Sequence, residues 1–253
     1  MKSKVYDRAF FAGRQTQIAS SARTTVPLLI ELFKPNSVVD FGCGDGAWLA
    51  IFKDLGVKTV LGFDGEWVSE DQLLIDKPEF QRCDLACAPF VDHQFDLALS
   101  LEVAEHLPNA VAPRFVEAIT TSSSIVVFSA AIPYQGGTRH LNEQWPEYWE
   151  KLFEKEGFVV LDILRPKLWF STELEPYYAQ NMFVFVSAER TDEFRLHAKE
   201  ECEGFSRSLT RIHPKLWESK MIEAQDFSRF GTVKLLRALG RSVRRSIVSR
   251  FGK

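Results

Sequence analysis

The sequence predicts a doubly wound α/β domain, a mostly parallel sheet with helices on both faces, and three observations carry that expectation. Apolar segments of strand length alternate with helical segments over roughly the first 190 residues. Those strands are predominantly apolar, as strands covered on both faces are, and show no regular alternation with polar residues. The first strand runs into a glycine-rich turn and then a helix, which sets a ligand at the carboxyl end of the sheet.

Residues before Pro35 read as N-terminal capping helices, from Tyr6 to about Phe33 with a break expected near Pro27. Ser37–Phe41 (SVVDF) is a buried strand, followed by GCGDG and a helix from Ala47 to Leu55. Thr59–Asp64 (TVLGFD) is a second strand ending in an acidic residue, Phe95–Ser100 a third and Ser124–Ser129 a fourth. Asn109–Thr120 has helical spacing between them. Trp145–Glu156 is a helix with proline in its first turn and Gly157 at its end, leading into the strand Phe158–Leu164. Asn181–Ser187 closes the series. The domain limits read as 1–34 for the cap, 35–189 for the sheet domain and 190–253 for a helical C-terminal extension.

Composition narrows the classes. Hydrophobic residues make up 45% and charged residues 26% of 253, ordinary for a globular enzyme. No apolar run reaches the roughly 20 residues of a membrane span, and the charged N-terminus does not read as a secretory signal. Cys43, Cys83, Cys87 and Cys202 form no CxxC pair, which suits a reducing cytoplasm. Eight of the 31 Lys and Arg fall between Phe227 and Lys253, where there is no Asp or Glu. The preceding chain therefore carries 23 basic against 34 acidic residues, a net of −11, which disfavours nucleic acid as partner.

The turn Gly42-Cys43-Gly44-Asp45-Gly46 lets a ligand approach the backbone and offers free N–H groups at a helix start. Asp64 lies 20 residues after Gly44, a spacing that dinucleotide-binding turns share. The stretch VVDFGCGDG, with an acidic residue before the glycines, resembles motif I of class I S-adenosylmethionine-dependent methyltransferases. The segment Arg82-Cys83-Asp84-Leu85 and the stretch FDLALSLEVAEHL are similar to two later motifs of that family. The likeness runs from about Val38 to Pro133 and, less sharply, to Ser187. It implies a seven-stranded Rossmann-like methyltransferase sheet and S-adenosylmethionine as cofactor. It further implies that Asp40 organises the methionine part and Asp64, with Gly65 beside it, the ribose hydroxyls. Asp84 and the Leu85 amide would meet the adenine, and Ser100 and Leu101 would flank the sulfonium.

Glu102, Glu105 and His106 follow the third strand as E-x-x-E-H, and His140 lies beyond the next. One turn of helix would bring the first three to one side. Two carboxylates and two imidazoles suit a divalent ion that lowers the pKa of an attacking hydroxyl; without a metal, His106 or His140 would be the base. The pattern resembles the magnesium-dependent small-RNA 2′-O-methyltransferases and the ubiquinone-biosynthesis O-methyltransferases, which implies magnesium or manganese. The RNA enzymes carry a second histidine where this chain has Leu107.

Gly136–Trp149 mixes His140, Asn142 and Glu143 with Trp145 and Trp149, a combination that suits a hydroxylated acceptor such as a sugar. A capped helix would instead bury Trp145, Trp149 and Phe153 at i, i+4 and i+8, and at least two of these belong in the core. The NEQWPEYW stretch resembles methyltransferases of bacterial polysaccharide biosynthesis, which implies O-methylation of a sugar, glycan or small-molecule hydroxyl. Methylation of nitrogen or carbon, and a cofactor-binding scaffold without chemistry, are the alternatives. In the tail, Leu235, Leu239, Val243, Ile247 and Phe251 recur every four residues among Lys and Arg. That basic amphipathic helix could lie on the inner membrane face, dock a protein partner or pack on the acidic body.

Overall fold

The computed structural model describes residues 8–87, 91, 94–194 and 208–226. Its chain divides into two compact units, Met1–His213 and Pro214–Lys253. The first holds a seven-stranded sheet: β1 (Ser37–Phe41), β2 (Thr59–Asp64), β3 (Phe80–Arg82), β4 (Leu97–Leu101), β5 (Ile125–Ser129), β6 (Phe158–Leu161) and β7 (Phe183–Ser187), in the order β3-β2-β1-β4-β5-β7-β6. The pairs β1–β2, β2–β3, β1–β4 and β4–β5 are parallel, while β7 runs antiparallel to both β5 and β6. Strand order reverses between β1 and β4, and sheets of this kind bind ligands at the carboxyl ends of the strands beside such a switch.

The strands are apolar on both sides because each side has its own core. Val38, Leu97, Leu99, Ile125, Val127, Val184 and Val186 pack with the helices α1 (Arg8–Phe33) and α2 (Ala47–Asp54). Their neighbours Val39, Ala98, Val126, Phe128, Phe183 and Phe185 pack with α3 (Ala112–Ser122) and α4 (Pro146–Lys155). Successive strand residues thus face opposite cores, as the pleat requires. Two short helices, α5 (Arg165–Leu168) and α6 (Pro176–Asn181), lie between β6 and β7. The sequence signals neither of them, nor the three-residue β3.

Two expectations about the chain's ends are corrected. The N-terminal cap is one helix that runs through Pro27 without a break. The sheet unit also extends past residue 189, to His213. The buried Arg165 explains the second: its guanidinium pairs with Asp162 and donates to the carbonyls of Leu209 at 2.7 Å and Ser208 at 3.4 Å. The His213 amide donates to Gln180 Oε1 at 2.8 Å, and its ring meets the Trp169 carbonyl. Residues 208–213 thus form a strap on the sheet unit. The described part of the second unit contains the helix α7 (Pro214–Gln225). The predicted basic helix of the tail lies outside the described residues. No helix among the described residues is long and apolar enough to cross a membrane.

Candidate active site

Every residue expected at the cofactor stands at the carboxyl edge of β1, β2, β3 or β4. Asp40 is buried in β1, and burial, aided by the negative charge of Asp64, pushes its carboxyl up to about 8. The turn that follows is pinned from below: the amides of Gly42 and Cys43 both donate to the Phe63 carbonyl, at 2.7 and 3.1 Å. Gly42 has φ +95°, and a Cβ there would lie 2.3 Å from Val103 Cγ2, so glycine is needed on both counts. Asp45 Oδ1 accepts from the Ala47 amide at the start of α2, at 3.2 Å. Asp64, at the end of β2, accepts from the amides of Gly44 and Gly65 at 2.7 Å each. Burial nevertheless raises its carboxyl above the usual range.

Asp84 is exposed after β3, where its carboxylate accepts from the Ala86 amide, while Leu85 is buried. Ser100 and Leu101 close β4, and the Ser100 hydroxyl is buried with no hydrogen-bond partner. Trp67, which the sequence did not single out, lies against Gly65: a Cβ on that glycine would be 2.3 Å from Trp67 Cη2. The residue is 79% exposed, unusual for tryptophan.

These residues fit S-adenosylmethionine. Two buried carboxylates held above their ordinary range call for a cation and hydroxyl donors, which its ammonium, sulfonium and ribose supply. Gly44, at φ +57°, would meet nothing within 4 Å with an added Cβ, so the turn presents an open face. The unpartnered Ser100 hydroxyl adds a polar group on the same edge.

The second group stands where β4 and β5 end. A 3-10 turn, Ala104–His106, carries Glu105 and His106. The Glu105 carbonyl accepts from the Leu141 and Asn142 amides at 2.7 and 3.0 Å, which ties this turn to the loop carrying His140. The rings of His106 and His140 meet edge to face with centroids 4.8 Å apart. Ligand atoms of Glu105, His106 and His140 all lie within 4.8 Å of one another. The Glu105 carboxylate is buried and accepts no hydrogen bond from another side chain. Burial pushes it well above the usual carboxylate range, the charges of Glu102 and Glu143 push the same way, and the backbone amides of Glu105 and Ala131 pull it partly back.

Glu102 leaves the expected four-residue set. At φ +56° it directs its carboxylate to two amides, with Oε1 accepting from Asn181 Nδ2 at 3.0 Å and Oε2 from Gln135 Nε2 at 2.8 Å. A 3-10 turn starting at Ala104 also replaces the helical turn that would have aligned it with Glu105. Sequence reasoning missed the orienting role of Glu143. That carboxylate accepts from the amides of Tyr134 and Gly136 and from His140 Nδ1, all at 2.9 Å. A carboxylate only accepts, so His140 Nδ1 is the donor in this contact, and in the neutral ring that tautomer leaves Nε2 as the acceptor. Tyr134, Gly136 and Arg139 all have positive φ, marking a loop held in shape by its contacts.

Residues 13–163 match the model of a methyltransferase domain family, and this chain belongs to that family. A segment of 84 residues is 38% identical to a probable chloroplastic tocopherol O-methyltransferase of Oryza sativa subsp. japonica, covering 30% of this chain and 23% of that protein. The fold is similar to the sugar N-methyltransferase KedS8 from Streptoalloteichus sp. ATCC 53650, with TM-score 0.55, 14% identity and coverage of 74% of this chain and 97% of the other. It is also similar to magnesium protoporphyrin IX methyltransferase from Synechocystis PCC 6803, solved with bound SAH, with TM-score 0.50, 16% identity and coverage of 74% and 90%. These last two likenesses establish the Rossmann-like methyltransferase fold.

Proposed function

We propose that this chain transfers a methyl group from S-adenosylmethionine to a hydroxyl of a sugar-containing acceptor, with Glu105, His106 and His140 as the groups that handle the hydroxyl proton. The observation that carries this reading is the buried Glu105 carboxylate, which has no side-chain hydrogen bond, beside two imidazoles on the same sheet edge as Asp40 and Asp64. When bound, the cofactor supplies an electrophilic methyl group on a sulfonium.

The chain's own part is positioning and proton transfer. Asp40, Asp64 and the Gly42–Gly46 turn would hold the donor at the ends of β1 and β2, so that displacement would be set up by orientation. His140, fixed by Glu143, presents Nε2 as the base for an acceptor hydroxyl. Glu105 and His106 stand at the same point, where they would hold the acceptor or, with His140, a divalent ion such as magnesium or manganese that polarises the hydroxyl. A bound cation would also relieve the cost of ionising Glu105 in its buried place. The rice relative's name includes O-methyltransferase, which supports an oxygen acceptor. The acidic body supports an uncharged acceptor over nucleic acid.

Calorimetry tests the reading. S-adenosylhomocysteine titrated into metal-stripped protein should bind with micromolar affinity, and failure to bind would sink the proposal. Manganese added back should bind wild type and not His140→Ala if the three residues form a metal site. Binding of the cofactor with no response to metal would leave His140 as the base.

A further inference from the structure

Among the described residues, a groove of about 450 Å³ is lined by Gln144, Trp145, Glu147, Tyr148, Lys151 and Thr210. Its volume falls in the range typical of small-molecule sites. One wall is the start of α4; the other includes Thr210 of the strap, whose hydroxyl lies 2.7 Å from each oxygen of the Glu147 carboxylate. Arg165 holds the strap in place through the Leu209 carbonyl, so the wall is anchored from the buried side.

The groove is joined to the chemistry by hydrogen bonds. Gln144 Nε2 donates to Asn142 Oδ1 at 2.9 Å. Asn109 Nδ2 donates to the same oxygen at 2.9 Å and to the Tyr148 hydroxyl at 3.1 Å. The Asn142 amide in turn donates to the Glu105 carbonyl. Two groove residues are therefore fixed to the turn that presents Glu105 and His106. Asn142 Nδ2 is buried and without a partner.

We propose that this groove is a second acceptor subsite, holding one sugar unit of an oligosaccharide next to the unit that is methylated. The proposal rests on the reading of the chain as a methyltransferase for a sugar hydroxyl, and it adds that the acceptor is longer than one sugar. Chemistry selects the occupant. Trp145 is 38% exposed and lines the groove while Trp149 and Phe153 of the same segment are buried, so it supplies an aromatic surface of the kind that packs on the C–H side of a pyranose ring. Amide, hydroxyl, carboxylate and ammonium groups around it pair with sugar hydroxyls. The charges of Glu147 and Lys151 cancel, which favours a neutral ligand over a phosphate; phosphate recognition needs clustered cations.

The test uses the full chain and a printed panel of neutral mono- to hexasaccharides, with ligand-observed NMR on those that bind. At least one oligosaccharide should bind, and Trp145→Ala should weaken it about tenfold. S-adenosylhomocysteine affinity should stay unchanged in that variant, which also shows that it folds. Tyr148→Phe, which removes only the hydroxyl, should give a smaller loss. In methyl-transfer assays Trp145→Ala should raise KM for an oligosaccharide and leave KM for a monosaccharide alone. Absence of any saccharide binding, or binding indifferent to Trp145→Ala, overturns the subsite. A protein that binds S-adenosylhomocysteine and methylates monosaccharides, yet ignores chain length, loses the subsite and keeps the function. One that binds oligosaccharide through Trp145 but no S-adenosylhomocysteine loses the function and keeps the groove.

Discussion

His140 owes its tautomer to one carboxylate and its position to one glycine. Glu143→Gln would replace a pure acceptor with an amide that can also donate, releasing the constraint on Nδ1; methyl transfer should fall by about 10- to 100-fold with S-adenosylhomocysteine affinity intact. Gly137 acts sterically, since a Cβ there would lie 2.1 Å from His140 Nε2. Gly137→Ala should therefore displace the ring and lower kcat while the fold survives, read as lost turnover with an unchanged thermal midpoint. Asp40 gives a pH prediction. Its carboxyl is raised to about 8 in the fold, whereas in the unfolded chain it ionises near its ordinary 3.8. Between those values the folded state binds more protons, so this residue's contribution is full below pH 3.8 and is lost as pH rises through about 8. Thermal midpoints of wild type should fall relative to Asp40→Asn over that window. A constant difference between the two proteins would show that Asp40 is ionised in the fold.

At the scale of elements, the carboxyl edge is a set of junctions, each fixed by a few contacts. The turn after β1 must pass beneath Val103, and Gly42→Ala would bring both a strained φ and a clash. A loss of about 1–3 kcal/mol is expected in chemical denaturation. Adding Val103→Ala should recover only part of it, because the left-handed backbone remains. The other end of β1 is held by Asp96, whose Oδ2 accepts from the Asn36 and Ser37 amides and the Ser37 hydroxyl. These junctions also explain why the E-x-x-E-H motif does not act as a unit. Its first carboxylate belongs to an amide network on α6 and the loop after β5, while Glu105 and His106 belong to the 3-10 turn.

The molecule as a whole depends on Arg165, a charged side chain with no exposure, seated 4.2 Å from the centroid of Phe183. It joins Asp162, the end of α6 and the strap in one bonded group. Arg165→Ala would leave Asp162 without its partner and the strap carbonyls without donors. A loss of about 3 kcal/mol is expected, together with faster amide exchange of residues 208–213. Equal exchange in wild type and variant would show that the strap stays docked without the guanidinium.

Much of this fold is legible in the sequence because its cause is local. Apolar runs broken by glycine and proline set β1 and β2 at their observed limits, since a strand buried on both faces permits little else. The acidic and glycine residues at strand ends carry the cofactor reading for the same reason: motif and turn are contiguous. Three residues at β3 and the six-residue α6 are too short to leave a periodic signal. Glu102 parting from Glu105, Glu143 orienting His140, and the strap reaching back to Arg165 were decided only by the tertiary structure. Each depends on where a side chain meets a partner distant in sequence, as Glu102 meets Asn181 and Arg165 meets Leu209, and residue spacing holds no record of that.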